Sequence, residues 1–199
     1  MARVAEIILV RHASTAWTGH RYCGLSDPPL DRPGRAAATA LAADLAPTIP
    51  AGARIVSSPA RRTLETAAAI AAGAGLGPVE IDPRWSEADF GIAEGRTFEE
   101  LERIAPVLAA ALAAGDMAID WPDGETAARL LDRVTAAWRA LVETDRDTIL
   151  VSHAGPIRIA IGLAGRGSGR DWVPLAPGAV IRLAVGTAWR MGSRARLSS

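Results

Sequence analysis

Two of the three histidines in this 199-residue chain follow runs of mainly aliphatic residues. The run 7–10 leads directly into Arg11 and His12, and the run 148–151 is followed, after one serine, by His153. Short apolar runs of this kind predict buried strands. In an open α/β sheet, ligands bind just beyond the carboxyl ends of the strands. The pattern therefore predicts that both histidines stand at one functional edge of a sheet.

Two further side chains give this edge the means for phosphoryl chemistry. Arg62 follows a short predicted strand at 54–57, and Glu87 lies in a polar, glycine-rich loop at 85–95. Arginines stabilise the charge that spreads over the oxygens of a transferring phosphoryl group. A neutral histidine can attack phosphorus, and a carboxylic acid can protonate the leaving alkoxide. We therefore predict chemistry on a phosphate monoester, with no metal ion or cofactor needed.

The elements that must position these residues alternate along the chain. The sequence predicts strands at 5–10, 54–57, 79–82, 148–151 and 180–185, with a possible short one at 188–190, and helices at 33–45, 60–72, 97–114 with a break near Pro106, 125–143 and 156–164. Such alternation predicts a three-layer α/β/α fold with a mostly parallel central sheet. We expect a single domain over residues 1–199, with a frayed tail from 191.

The clearest helical pattern lies in the segment 125–143. Its apolar residues recur at helical spacing and form one stripe. The stripe consists of Ala127, Leu130, Leu131, Val134, Trp138 and Leu141. We expect this stripe to face the protein interior.

Composition limits the class of ligand. The 22 basic residues are all arginine and are balanced by 22 acidic ones, so net charge gives no case for a nucleic acid or membrane partner. The absence of lysine excludes a Schiff-base or P-loop lysine. Cys23 is the only cysteine, which excludes an internal disulfide and favours a reducing compartment. We expect a cytoplasmic protein, without signal peptide or membrane span, that acts on a small phosphorylated metabolite.

Acidic residues cluster before the segment 125–143 without indicating a metal site. They are Asp116, Asp120, Asp123 and Glu125. Acidic side chains at the start of a helix are explained by the positive end of its dipole. We therefore expect no metal ligands there.

Five segments, in order, resemble the signature of the histidine phosphatase family, the phosphoglycerate mutase-like superfamily. They are 9–15 (R-H-G-x-T), 24–34 (G-x-x-D-x-P-L…G), 58–67 (S-P-x-x-R-A-x-x-T-A), 87–95 (E-x-x-F-G-x-W-E-G) and 151–155 (the late H-G-G block). The resemblance covers nearly the whole chain and implies that family's fold.

The resemblance also implies a role for each matched residue. His12 would be the phosphorylated nucleophile, and Arg11, Arg62 and His153 would hold the phosphate. Glu87 would be the general acid and then the base that activates water. Substrate contacts are implied at Thr15, Thr18, Arg21, Cys23, Gly24 and Ala154.

The sequence departs from the family pattern at several positions. Ala13 and Ala154 replace glycines, and both are small enough to keep the backbone close to a ligand. Thr18 replaces a frequent asparagine and has a shorter reach. Ala93 replaces a bulky aromatic residue, which would enlarge the pocket near Glu87.

Phosphatase activity is the leading hypothesis, and three alternatives stay open. A cofactor-dependent phosphoglycerate mutase would share the chemistry, but the segment between Glu94 and Glu125 and the tail are short for a mutase. An α-ribazole phosphatase of cobalamin synthesis would be a more specific phosphatase. A non-catalytic phosphate-binding module is disfavoured because both histidines, both arginines and Glu87 are retained.

Overall fold

A computed structural model describes residues 4–116, 118–165 and 175–185. In this part of the chain the strands are β1 (Ala5–Arg11), β2 (Arg54–Ser57), β3 (Glu80–Ile81), β4 (Thr148–Ser152) and β5 (Val180–Val185). They form one sheet in the order β3-β2-β4-β1-β5. The first four run parallel, and β5 is antiparallel to β1. The carboxyl ends of the four parallel strands therefore meet at one edge, as predicted.

The helices begin and end at residues whose chemistry explains the boundaries. They are α1 (Arg32–Leu45), α2 (Arg61–Ala74), α3 (Phe98–Ile104), α4 (Pro106–Ala113), α5 (Ala127–Glu143) and α6 (Ala154–Leu163). The side chain of Asp31 caps α1 by accepting from Gly34 N at 2.6 Å. Thr97 and Glu100 form a capping box at α3. The predicted helix 97–114 divides at Ala105 because Pro106 cannot continue a helix.

Alternate residues of β1 face opposite layers of the fold. Ile7 and Leu9 belong to a buried cluster with residues of α5 and α6, while Ile8 and Val10 belong to another with residues of α1 and α2. This alternation is the period of a strand that is covered on both faces. It confirms the predicted three-layer α/β/α arrangement.

The structure corrects one detail of the predicted core. Leu131 belongs to the apolar stripe of α5, yet it is 48% exposed, whereas Val134 and Trp138 are fully buried. Leu131 lines a cavity instead of the core.

The predicted strand at 188–190 and the tail from 191 lie outside the described residues. Within the described ranges, no helix is long and apolar enough to cross a membrane.

Candidate active site

Parallel pairing of β1 with β4 brings the two strand-end histidines together. Arg11 is in register with Ser152, and the backbone N–H of His12 donates to Ser152 O at 3.0 Å. The ring centroids of His12 and His153 are 5.2 Å apart, with the ring planes inclined at 62°. Two residues distant in sequence thus become neighbours because their strands are adjacent.

One hydrogen bond determines the tautomer of His12. Its Nδ1 lies 2.7 Å from the backbone oxygen of Ala13. Because a carbonyl oxygen only accepts, Nδ1 carries the proton and donates it. In the neutral ring, Nε2 then keeps its lone pair. His12 lines the cavity at the sheet edge, so it can serve as a nitrogen nucleophile there.

The surroundings of His12 keep its imidazole neutral. Burial is the largest cause that lowers the pKa of His12, from 6.5 to about 3. The charges of Arg62 and Arg11 lower this pKa further, while the hydrogen bond to Ala13 raises it. At neutral pH the ring is therefore uncharged and has the protonation state that nucleophilic attack requires.

His153 is held between a hydroxyl group and a guanidinium. Arg62 Nη2 lies 3.2 Å from Nδ1 of His153, and Ser58 Oγ lies 2.8 Å from Nε2. A guanidinium can only donate, so Nδ1 accepts and Nε2 carries the proton that is donated to Ser58. Burial first, and then the charge of Arg62, lowers the pKa of His153 well below its ordinary value. His153 is therefore also a neutral ring.

Both predicted phosphate-binding arginines are anchored by backbone oxygens. Arg62, fully buried in the first turn of α2, donates to Ser26 O and to Gly24 O, each at 2.7 Å. Arg11 Nη1 donates to Leu175 O. The Nε–H groups of Arg11 and Arg62 are buried and have no hydrogen-bond partner among the described residues. Each guanidinium is thus held by backbone oxygens and has a buried Nε–H group without a partner among the described residues.

Glu87 reaches the same edge from the loop that follows β3. Its side chain accepts from the backbone N–H of Gly155 at 3.3 Å and of Ala88 at 3.1 Å. Gly155 lies in the first turn of α6, two residues after His153. The carboxyl group is therefore next to the histidine pair, and it lines the same cavity as His12.

Arg133 of α5 holds the backbone around Glu87. It donates to Ser86 O at 2.7 Å and to Glu87 O at 3.0 Å. Its guanidinium also binds both oxygens of Glu125 at 2.7 Å. A bidentate pair of this kind fixes the direction of the guanidinium as well as its charge. Arg133 thus positions the loop from which Glu87 projects.

Glu94 fastens this loop to the segment that Arg62 binds. Its carboxylate accepts from Leu25 N at 2.8 Å and from Ser26 Oγ at 2.7 Å. Ser58, Glu94 and Arg133 were not among the site residues predicted from the sequence. Ser58 and Glu94 did belong to matched segments, whereas Arg133 gave no signal beyond its charge.

A cavity of about 790 Å³ contains most of the predicted site residues. Among the predicted catalytic residues it is lined by Arg11, His12 and Glu87. Arg62 and His153 are buried beside His12 and do not line it.

The predicted substrate-binding residues are divided in the same way. The cavity is lined by Thr15, Thr18, Arg21, Cys23 and Ala154. Gly24 is not on its wall. A Cβ atom at Gly24 would collide with the backbone oxygen of Ala88, so this glycine permits close packing of two loops. Direct contacts of all these residues with a substrate stay predictions.

The side chains of Arg21 and Thr18 are among those of this set that already have partners within the protein. Arg21 Nη1 donates to Gly95 O at 2.6 Å and lies 3.7 Å from a carboxylate oxygen of Glu100. Thr18 Oγ1 accepts from Thr15 N at 2.9 Å. Both therefore shape the loop after β1.

In the described ranges, no group of three or more His, Cys, Asp or Glu side chains could hold a metal ion.

Gly155 is required by the close approach of Glu87. A Cβ atom at this position would collide with Glu87 Oε1, and the flexible carboxyl end would move before the backbone did. We expect Gly155→Ala to lower kcat for phosphate-ester hydrolysis by about 10- to 100-fold, since displacement of a catalytic carboxyl group by about 1 Å has effects of this size. Steady-state kinetics and thermal unfolding would be measured together. Gly77→Ala is the matched control, because a Cβ there meets no atom within 4 Å; equal kcat values for both variants would contradict this role.

The chain belongs to the histidine phosphatase superfamily, branch 1, whose family model matches residues 7–187. This confirms the family suggested by the sequence and the assignment to the phosphatase class of enzymes.

Curated relatives are similar over most of the chain. Phosphoglycerate mutase-like protein 4 of Arabidopsis thaliana is 32% identical over 158 residues, which are 77% of this chain and 68% of that protein. The probable phosphoglycerate mutase GpmB of Citrobacter koseri is 34% identical over 160 residues, which are 79% and 71% of the two chains.

A solved structure is similar in fold over most of both chains. A mycobacterial glucosyl-3-phosphoglycerate phosphatase, solved in complex with VO₃, superposes with a TM-score of 0.78 at 28% identity. The similarity covers 89% of this chain and 92% of that one. This agrees with the family and with the α/β/α fold.

Proposed function

We propose that this protein hydrolyses a small phosphorylated metabolite through a phosphohistidine intermediate on His12. The observation that carries the proposal is the hydrogen bond from Nδ1 to Ala13 O. It leaves the lone pair on Nε2, and the depressed pKa of His12 keeps that lone pair unprotonated. A cytoplasmic location is part of the same hypothesis.

In the first half-reaction, Nε2 of His12 forms a bond to phosphorus while the bond from phosphorus to the ester oxygen breaks. The carboxyl group of Glu87 gives its proton to the departing alkoxide, so that the alcohol leaves neutral. Glu87 is assigned this role because it lines the cavity together with His12 and is held at the backbone N–H of Gly155, two residues after His153.

In the second half-reaction, water attacks the phosphohistidine. Glu87, now a carboxylate, takes a proton from the water molecule while the oxygen of that water forms a bond to phosphorus. The N–P bond breaks, inorganic phosphate leaves, and Nε2 regains its lone pair. Glu87 is thereby protonated again for the next cycle.

Within the described part of the chain, the unpaired Nε–H of Arg11, which lines the cavity, supports an oxyanion ligand, and Arg62, which is buried beside the cavity wall, has a second unpaired Nε–H. A buried N–H group without a partner is costly, and both Nε–H groups are in that condition among the described residues. Fixed guanidinium groups are also the donors that best match a phosphoryl group. We infer that these two arginines stabilise the charge on the transferring group.

A phosphoglycerate mutase is the second candidate, because curated relatives carry that name. It would use the same phosphohistidine but return the phosphoryl group to a second hydroxyl of the substrate. An α-ribazole phosphatase is a narrower version of the main proposal. A non-catalytic phosphate-binding module would retain the cavity but show no turnover.

Phosphate release from simple phosphomonoesters in the presence of EDTA tests the proposal. We expect full activity with EDTA. Glu87→Gln should lower kcat for an alkyl phosphate by about 10²- to 10⁴-fold. With p-nitrophenyl phosphate, whose leaving group needs no proton, the variant should release one nitrophenolate per site in a burst and then turn over slowly.

Glu102→Gln, which changes an exposed carboxylate of α3, is the control and should match the wild type. Interconversion of phosphoglycerates without phosphate release would instead establish a mutase. Binding of phosphate without any turnover would establish the binding module.

A further inference from the structure

One end of the cavity is lined by Arg11, His12 and Glu87, and we call it the phosphate end. From there the cavity extends to a wall of apolar side chains. They come from α4, α5, α6 and the loop between α4 and α5, and they include Leu112, Ile119, Trp121, Leu131, Ile159 and Leu163. Building on the proposed function, we propose that the substrate is a phosphomonoester whose alcohol carries a bulky apolar group, and that this group lies against the apolar wall.

Aromatic rings form one corner of this wall. Phe90 and Trp121 have ring centroids 4.2 Å apart, and Tyr22 lies 6.2 Å from each of them. All three residues line the cavity. Aromatic faces and edges of this kind contact a planar or aliphatic group over a large area. The corner therefore favours an apolar substrate body over a hydrated one.

The charged residues of the wall do not provide a second anion site there. Arg21 is held by Gly95 O and lies near the carboxylate of Glu100. Arg158 lies close enough to Glu87 that this carboxylate raises its pKa, although burial lowers that pKa more. Arg158 therefore belongs to the phosphate end of the cavity.

Asp116 is the other acidic residue, besides Glu87, among the described residues of the lining. A substrate carboxylate placed beside Asp116 would be repelled.

Leu131 supplies the wall with an apolar side chain that is free to contact a substrate. It lies on the apolar stripe of α5 but remains 48% exposed while lining the cavity. An apolar substrate body would cover it, and burial of apolar surface is favourable in proportion to its area. The exposed leucine is thus explained as part of a binding wall.

A series of alkyl phosphates with similar leaving groups tests this inference. The series is ethyl, n-hexyl and 2-(2-naphthyl)ethyl phosphate, with 3-phosphoglycerate as the charged competitor. We expect kcat/KM to rise by at least about tenfold from the ethyl to the naphthylethyl ester, because each methylene that fills an apolar pocket contributes a factor of this order. We expect 3-phosphoglycerate to be poorer than hexyl phosphate.

Leu131→Arg should reduce the ratio of kcat/KM for the naphthylethyl ester to kcat/KM for 3-phosphoglycerate by at least about tenfold. The reason is that the substitution places a cation on the apolar wall. Val107→Arg is the matched control. It adds the same charge at an 84% exposed residue of α4 that does not line the cavity, and it should leave the ratio unchanged.

Two kinds of failure can be distinguished. Hydrolysis of the whole series without a size preference, or an unchanged ratio in Leu131→Arg, would overturn this inference and leave the phosphatase proposal standing. Absence of hydrolysis throughout would overturn the phosphatase proposal. The apolar preference would then be measured by calorimetry with naphthylethylphosphonate and ethylphosphonate, and equal dissociation constants would overturn it.

Discussion

Replacement of His12 by asparagine should lower kcat for phosphate release by at least about a thousandfold, since it removes the nitrogen that is proposed to form the covalent intermediate. Asparagine is close to histidine in size, and its amide can still donate to Ala13 O. The variant should therefore fold and bind phosphate while lacking the nucleophilic Nε2. Its residual rate would measure what the arginines contribute alone.

The intermediate itself provides the decisive measurement. Wild-type protein quenched during turnover of a ³²P-labelled ester should carry label that is stable in alkali and lost in acid, as expected of a phosphoramidate. His12→Asn should carry none. His20→Asn, which removes an exposed imidazole in the loop after β1, should label like the wild type. Label that survives acid and is lost in alkali would indicate a hydroxyl nucleophile and reject the mechanism.

Strand ends made the location of the site predictable from sequence. Apolar runs that end in Arg11-His12 and in Ser152-His153 identify β1 and β4, and parallel strands have their carboxyl ends at one edge. The alternating pattern predicted the class of fold but not the order of the strands in the sheet. The pairing of β1 with β4 is known only from the structure. The meeting of the two histidines required that pairing.

The supporting contacts were not predictable because they depend on side-chain direction. Arg133 lies among the polar residues of the amphipathic helix α5, and nothing in its spacing shows that it binds the carbonyl oxygens of Ser86 and Glu87. Periodicity has the same limit for Leu131. It identifies an apolar face, but it does not distinguish a position packed in the core from one that borders a cavity.

The neutrality that the proposed nucleophilic role of His12 requires also makes the fold sensitive to acid. In the unfolded chain a histidine takes up a proton below about pH 6.5, whereas His12 in the folded protein does so only near pH 3. Between these values the unfolded state binds more protons, so stability falls as the pH falls. His153, whose pKa is also lowered well below 6.5, adds a contribution of the same sign.

We therefore expect the free energy of unfolding to decrease by about 2 kcal/mol between pH 7.5 and 5 from His12 alone, at about 1.4 kcal/mol for each unit below 6.5. Urea titrations in phosphate-free buffer would measure it. His12→Asn should remove that part of the slope, while His20→Asn should retain the wild-type slope. Identical slopes in all three proteins would mean that His12 is not buried as a neutral ring, and the basis for its nucleophilicity would be lost with it.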